Sequence, residues 1–255
     1  MSPLSLDIYQ KNRLKEFSSI IKDILDVPIR YFVLYLPYNK YFPFLLNKSI
    51  NLNLFVYALL VALFLQVGVN YANDYSDGIK GTDKNRVGPT RLVASGLADA
   101  KSVKRAALIC FLLAAIFGTL ISVATSYWFL LVGALSILAA WGYTGGKKPY
   151  GYLGLGEVFV FIFFGVVATT GSYLIQTMSL SWFSIFISFP VGFLACALLA
   201  INNLRDLNTD AKSGKKTLAV RLGENRAKDF YLYLLGFAHF TAALIAPITL
   251  ILGIR

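Results

Sequence analysis

The chain has 255 residues, of which 57% are hydrophobic, and its formal net charge is +11 at pH 7. This apolar fraction exceeds that of ordinary soluble domains and excludes that class. Nucleic-acid binding is not needed to explain the charge, because the basic residues collect in short segments between apolar runs. We therefore expect an all-α fold, a polytopic transmembrane helix bundle in a lipid bilayer.

The N-terminal segment, residues 1–50, is the least regular part of the sequence. Its apolar run at 29–47 contains Arg30, Lys40 and two prolines, which are costly inside a bilayer unless they line a cavity or reach the interface. The basic residues before this run share a side with the later basic loops only if the run crosses the membrane. We therefore predict an N-terminal crossing here.

Six later runs approach or exceed the roughly 20 apolar residues that span a bilayer. The loops at 73–104, 144–153 and 203–229 are separated by even numbers of spans, so they share one side, and they hold most of the Lys and Arg residues. The opposite loops hold none, which predicts that the basic loops are cytoplasmic, in a cell membrane. We interpret the whole chain as one integral membrane domain, with a divergent region at 1–50 and a helical core at 51–254. The predicted spans are 51–72, 105–124, 127–143, 154–176, 182–202 and 230–254.

A first polar cluster follows the first of these spans, in the stretch NYANDYSDGIKGTDKNRVGP at 70–89. Asn70, Asn73, Asp74 and Asp77 are spaced by three or four residues, so they share one face of a helix. Ionised aspartates at the end of a membrane span need compensating charge. This pattern predicts a binding site at the end of the helix.

The middle basic loop reads YTGGKKPYGYLGLGEVF, at 143–159. Tyr143 and Lys147 form a Y-x-x-x-K pattern around a Gly-Gly turn, and Glu157 begins the next span. Glu157 is either an ordinary interfacial residue or a functional one, and the sequence does not choose between them.

A second polar cluster follows a later span, in NNLRDLNTDAKSGKKTLAVRLG at 202–223. Asn202 or Asn203, Asp206 and Asp210 repeat the amide-plus-acid spacing of the first cluster, on the same side of the membrane. Four converging carboxylates repel one another, and Mg²⁺ would resolve this because it binds carboxylate oxygens together with substrate phosphates. The two clusters therefore predict a site for magnesium and a diphosphate.

Basic residues on the same loops suit that ligand, because arginine and lysine bind phosphate oxygens. Each of them taken alone is also explained by membrane topology. They are Lys80, Arg86, Arg91, Arg205, Lys215, Lys216 and Arg221.

These three stretches, in this order, resemble the UbiA superfamily of intramembrane prenyltransferases, and most nearly its 1,4-dihydroxy-2-naphthoate prenyltransferases of menaquinone synthesis. The resemblance covers about residues 50–230. It implies nine transmembrane helices around a cavity that opens to lipid, with aspartate-rich motifs that bind Mg²⁺ and the diphosphate of a polyprenyl donor. The chain departs from this pattern at both ends: the family's first-helix motif is not recognisable in 1–50, and two further helices are expected after residue 254.

The resemblance also implies roles for individual residues. A third acid of the first motif is common in the family; that position is Gly81 here, and Asp83 is the nearest acid. The implied metal ligands are Asp74, Asp77, Asp83, Asp206 and Asp210. The implied catalytic residues are Tyr143, Lys147 and Glu157. The base that the reaction needs is Glu157 or an aspartate that does not bind the metal, and the sequence does not choose between them. The residues expected to bind the diphosphate and the acceptor are Asn70, Asn73, Arg86, Arg91, Asn202, Arg205 and Lys215.

The implied reaction joins a polyprenyl diphosphate to 1,4-dihydroxy-2-naphthoate, with loss of CO₂, and gives demethylmenaquinone or its quinol. Other acceptors stay open: 4-hydroxybenzoate, homogentisate, haem or a glycerol-phosphate lipid. An inactive relative and a membrane transporter are further alternatives. A transporter usually places its polar site near the bilayer midplane, whereas both clusters here lie at helix ends.

Overall fold

Helices account for the regular structure of the residues that the computed structural model describes, 50–83 and 88–251, and that part contains no strand. The predicted N-terminal crossing at 29–47 lies outside the described residues. The helices are α1 (Leu52–Lys80), α2 (Ala100–Ala124), α3 (Trp128–Gly142), α4 (Gly156–Thr177), α5 (Trp182–Arg205), α6 (Leu207–Lys212), α7 (Leu218–Leu222) and α8 (Glu224–Ile251).

Polar side chains and a glycine set the ends of the first two helices. Asn51 accepts a hydrogen bond from the backbone N–H of Leu54 at the start of α1, and Asp99 accepts one from Ser102 at the start of α2. Helix α1 ends at Gly81, whose φ of 70° is a left-handed conformation that glycine adopts without steric cost. The first polar cluster therefore lies in the last turns of α1.

Four helices in the described part of the chain, α1, α2, α4 and α5, are long and apolar enough to cross a membrane. Helix α3 is apolar but has only 15 residues, and α8 falls outside this group. Each of the six predicted spans coincides with a helix, so the all-α membrane bundle is confirmed, while the number of crossings stays a prediction. Large apolar side chains are widely exposed on these helices, as lipid contact requires.

Helix α4 is interrupted by a π-helical segment, Phe161–Val167, which crosses α5 very closely. A Cβ added to Gly165 would lie 2.5 Å from the Cα of Gly192, so Gly165 is needed for this approach, and a Cβ added to Gly192 would lie 2.7 Å from the ring of Phe161. Pro190 lies inside α5 next to the crossing. Small residues at a helix crossing allow the close backbone packing that is typical of membrane helices.

Two pairs of helices form the most extensive contacts, α1 with α2 and α5 with α8. Ala72 and Ala107 are fully buried in the first pair, and Ala197 and Leu234 are buried in the second. This packing holds the ends of α1 and α5, with their polar clusters, in place within the bundle.

The three basic loops meet at one end of the bundle, which we call the loop end. It comprises the last turn of α1 and residues 81–83, 88–99, 143–155 and 206–223. Lys80 donates to the carbonyl of Thr144, and the side chain of Lys215 reaches Asp77. The prediction that these loops lie on the same side of the bundle is therefore confirmed.

Candidate functional site at the loop end

Lys215 lies at the centre of three carboxylates from distant parts of the chain. Its ammonium is 2.9 Å from Asp77, 3.4 Å from Asp83 and 3.8 Å from Asp210. All four residues are buried, with at most 8% of their surface exposed. The structure thus brings together acids of the first and second clusters, as the sequence predicts, around a side chain of the chain itself.

Asp74, in contrast, is directed towards the loop after α1. Its two carboxylate oxygens accept hydrogen bonds from the backbone N–H groups of Leu92 and Val93, at 2.8 and 3.0 Å. One turn later, Gly78 leaves room for this loop, because a Cβ there would lie 2.4 Å from the Val93 side chain. Asp74 therefore fixes the loop that carries Arg91.

Arg91 and Arg205 each pair with an acid of the predicted site. The Nε of Arg91 is 3.4 Å from Asp83, so the loop held by Asp74 adds a positive charge beside the Lys215 cluster. Arg205 contacts both oxygens of Asp206 at 2.9 Å, the planar geometry in which arginine binds a carboxylate. Arg86 lies outside the described residues.

Tyr152 joins the middle loop to this cluster and was not identified from the sequence. Its hydroxyl donates to Asp77 at 2.5 Å and is 3.3 Å from the Thr82 hydroxyl. Its ring centroid lies 4.9 Å from the Lys80 ammonium and 5.3 Å from that of Lys215. Burial and the neighbouring Asp77 raise the pKa of Tyr152, so the hydroxyl keeps its proton and stays a donor. The two neighbouring tyrosines in PYGY give no pattern that separates Tyr152 from Tyr150.

Glu157 forms a second polar centre at the start of α4. It is 7% exposed, and its Oε1 accepts a hydrogen bond of 3.0 Å from Asn203. Among the described residues, its buried Oε2 has no hydrogen-bond partner. The neighbouring amide, Asn202, instead accepts a hydrogen bond from Arg205. The sequence did not decide which of Asn202 and Asn203 belongs to the site. The structure places Asn203 against the buried Glu157.

The remaining predicted residues surround these two centres. Tyr143 lies between them: burial and then the nearby Glu157 and other carboxylates raise the pKa of its hydroxyl. Lys147, its partner in the Y-x-x-x-K pattern, is exposed on the bend that follows. Asn73 accepts a hydrogen bond from the Thr144 hydroxyl at 2.8 Å, whereas Asn70 donates to the backbone of its own helix.

The second cluster keeps its helical spacing across a break in the helix. Helix α5 ends at Arg205 and α6 begins at Leu207, with Asp206 at the junction. The backbone N–H of Asp206 still donates to the carbonyl of Asn202, and that of Asp210 donates to Asp206. This turn directs Asp210 towards Lys215, while Asp206 stays with Arg205.

Comparison with known sequences agrees with this arrangement. Residues 44–254 match the UbiA prenyltransferase family. The chain belongs to the UbiA prenyltransferase family.

Individual relatives in this family carry enzyme names. The chain is 50% identical over 181 residues to 1,4-dihydroxy-2-naphthoate octaprenyltransferase of Mycobacterium tuberculosis, covering 71% of this chain and 62% of the relative. It is 44% identical over 185 residues to the protein of the same name in Escherichia coli K12, covering 70% and 60%. It is 29% identical over 176 residues to 2-carboxy-1,4-naphthoquinone phytyltransferase of Synechocystis, covering 67% and 55%. The chain thus spans about three fifths of the curated relatives it matches, and no solved structure matches it significantly.

UbiA family prenyltransferases generally depend on a divalent metal, so we tested whether the loop end suits one. Within the described residues, no group of three or more acidic, histidine or cysteine side chains is arranged so that it could hold a metal ion. The carboxylates of Asp77, Asp83 and Asp210 nevertheless surround one positive charge, the Lys215 ammonium. Magnesium commonly binds through one or two carboxylates and takes its other ligands from phosphate and water. The oxygen donors present therefore fit a divalent cation.

Proposed function

We propose that this protein transfers a polyprenyl group from a polyprenyl diphosphate to 1,4-dihydroxy-2-naphthoate, with loss of CO₂, to give demethylmenaquinol or demethylmenaquinone. The observation that carries the proposal is the buried cluster in which Lys215 contacts acids of both motifs. Such a cluster at the end of apolar helices suits a substrate with a charged head and a long apolar tail. The names of the relatives supply the acceptor.

Asp77, Asp83 and Asp210 would hold Mg²⁺, which stabilises the negative charge that grows on the departing diphosphate. Lys215 and Arg91 lie beside these acids and provide positive charge for the phosphate oxygens. The allylic C–O bond breaks, and its electron pair leaves with the diphosphate. Because these basic groups are held in place before the reaction, they favour the state in which this charge has developed.

The acceptor ring supplies the electron pair of the new C–C bond, and CO₂ leaves the ring. A base is needed to take the proton of the acceptor hydroxyl. We assign this role to Glu157, because its Oε2 is buried and has no hydrogen-bond partner among the described residues, while Asn203 holds its other oxygen. Tyr143, between the two centres, would separate the acceptor from the diphosphate site.

The direct test uses membranes that contain the protein, 1,4-dihydroxy-2-naphthoate, a polyprenyl diphosphate and Mg²⁺. Prenylated naphthoquinol and released CO₂ are expected, and EDTA should abolish both. Asp77→Ala and Asp210→Ala should each nearly abolish turnover in protein that is still inserted, because each removes one of the proposed metal ligands. If folded protein forms no product from 1,4-dihydroxy-2-naphthoate but turns over 4-hydroxybenzoate or homogentisate, the proposed acceptor is wrong.

We also propose that the loop end faces the cytoplasm of a cell membrane, because the basic loops gather there. Lys148 is exposed at this end, so Lys148→Cys offers a probe. A membrane-impermeant maleimide should label it in inverted vesicles and not in intact cells. Labelling in intact cells would show that the loop end faces the outside of the cell and would contradict the proposed orientation.

A further inference from the structure

We propose that Tyr152 is a positioning residue, which sets the orientation of the Asp77 carboxylate through its hydroxyl and gathers the Lys80 and Lys215 ammonium groups at its ring. This inference rests on the proposed function, because it concerns the same cation and diphosphate site. Tyr152 touches the three-carboxylate centre at Asp77 and Lys215, and it acts by orienting these side chains rather than as a ligand.

The backbone holds Tyr152 firmly at the junction of the loops. Residues Tyr150–Leu153 form a single 3₁₀ turn, in which the N–H of Tyr152 donates to the carbonyl of Pro149. The carbonyl of Tyr152 accepts a hydrogen bond of 3.1 Å from the N–H of Lys216. This bond fixes the middle loop to the residue next to Lys215.

Gly151 makes this turn possible. Its N–H donates to the carbonyl of Tyr143 at 3.0 Å, and a Cβ at this position would lie 2.6 Å from that same carbonyl oxygen. No other residue fits without moving the turn. The backbone that carries Tyr152 is therefore held closely at this turn.

The hydroxyl of Tyr152 divides the two oxygens of Asp77 between different partners. Oδ1 accepts from Tyr152, while Oδ2 faces Lys215. With Oδ1 held, the carboxylate cannot rotate, and Oδ2 stays directed at the centre that it shares with Asp83 and Asp210. Partners that orient a metal-binding group in this way typically change metal affinity by about 10- to 100-fold.

The ring of Tyr152 has a separate effect on the lysines. Both ammonium groups lie within the roughly 6 Å over which an aromatic face attracts a cation. The ring thus contacts both cations, although Lys80 belongs to α1 and is itself exposed, and Lys80 is also held by its hydrogen bond to the Thr144 carbonyl. Two ammonium groups held together in this way suit the several negative oxygens of a diphosphate.

Tyr152→Phe and Tyr152→Leu distinguish the effect of the hydroxyl from that of the ring, and Tyr150→Phe is the matched control. Tyr150 is in the same turn, but its hydroxyl donates to the carbonyl of Ala139. Mn²⁺ binding to purified protein without substrate is measured from the electron paramagnetic resonance of free Mn²⁺. We expect Tyr152→Phe to raise the Kd for Mn²⁺ about tenfold or more and to leave the KM for polyprenyl diphosphate nearly unchanged. Tyr152→Leu should also raise this KM, and Tyr150→Phe should leave the Kd unchanged.

Lys80→Met removes one of the two cations at the ring, together with the hydrogen bond from Lys80 to the carbonyl of Thr144, and leaves the Tyr150–Leu153 turn in place. It should raise the KM for polyprenyl diphosphate and leave the Kd for Mn²⁺ unchanged. Equal Mn²⁺ affinity in Tyr152→Phe and Tyr150→Phe would overturn the role of the hydroxyl, and an unchanged KM in Lys80→Met would overturn that of the ring. If the wild-type protein binds Mn²⁺ but forms no product, the proposed function fails, while the Kd values still decide the role of the hydroxyl.

Discussion

The Lys215 ammonium lies 2.9 Å from the Asp77 carboxylate, although 138 residues separate them in the chain. This contact ties the end of α1 to the loop between α6 and α7. Both side chains are buried, so neither charge is screened by water as it would be at the surface. The stability of the loop end therefore depends on this pair.

Lys215→Met should destabilise the protein strongly in the absence of metal. Removing one partner of a buried ion pair costs about 3–5 kcal/mol, because the other charge is left uncompensated. Lys216→Met is the matched control, since Lys216 is exposed and should change stability by no more than about 0.5 kcal/mol. Unfolding in detergent with EDTA measures both, and Mg²⁺ should narrow the difference by binding the freed carboxylates. Equal stability of the two variants in EDTA would contradict this account.

Asp74→Ala should release the loop that carries Arg91. The amides of Leu92 and Val93 lose their acceptor, and a hydrogen bond to a charged group contributes about 1.5–3 kcal/mol. Hydrogen exchange at these two amides should accelerate about tenfold or more, because 1.4 kcal/mol corresponds to a factor of ten. Asp99→Ala serves as the control. Asp99 accepts a hydrogen bond from the amide of Ser102, so this variant should speed exchange at Ser102 and leave exchange at Leu92 and Val93 unchanged. Unchanged exchange at Leu92 and Val93 would show that Asp74 does not hold the loop.

Gly165→Ala should weaken the crossing of α4 and α5. The added methyl would meet the backbone of Gly192, which cannot move aside as a flexible side chain can. Overpacking of this kind costs about 1–3 kcal/mol. Gly133→Ala, in α3, meets nothing within 4 Å and should leave the free energy of unfolding unchanged or raise it by up to about 1 kcal/mol. A Gly165→Ala variant as stable as Gly133→Ala would refute the close crossing.

The protein should lose stability as the pH rises above about 10, in part through Tyr150. Burial raises the pKa of its hydroxyl, so the folded chain keeps a proton that the unfolded chain releases near its ordinary pKa of about 10. The contribution of Tyr150 to the free energy of unfolding is fully present below about pH 10. It declines above that pH, because the unfolded chain then binds fewer protons than the folded chain. Tyr150→Phe should therefore show a shallower loss of stability between about pH 9.5 and 11. Parallel curves for the two proteins would exclude this contribution.

The sequence predicted the features that follow from apolar runs and from the spacing of residues along a helix. Apolar runs located the helices, and the spacing of Asp74 and Asp77 placed both on the last turns of α1. The basic loops indicated which helix ends share a side. Each of these depends on residues that are near one another in the chain or on the thickness of the bilayer.

The parts that could not be predicted depend on contacts between distant segments. Asp74 and Asp77 look equivalent in the sequence, but one holds a loop and the other joins the Lys215 cluster. Asn203, rather than Asn202, meets Glu157 because of the rotation of α5. The role of Tyr152 depends on a glycine turn that points its ring at α1. The number of crossings and the roles assigned to Tyr143 and Lys147 stay predictions.

The position of Lys215 has a consequence for the biogenesis of the protein. Translation produces Asp77 and Asp83 long before Lys215, whereas Asp210 precedes Lys215 by only five residues, so the second motif is synthesised together with its counter-ion. From then on the chain supplies its own counter-ion, and we expect the two motifs to come together without waiting for magnesium from the cell. Insertion and assembly would then be independent of the metal supply, and only turnover would respond to it.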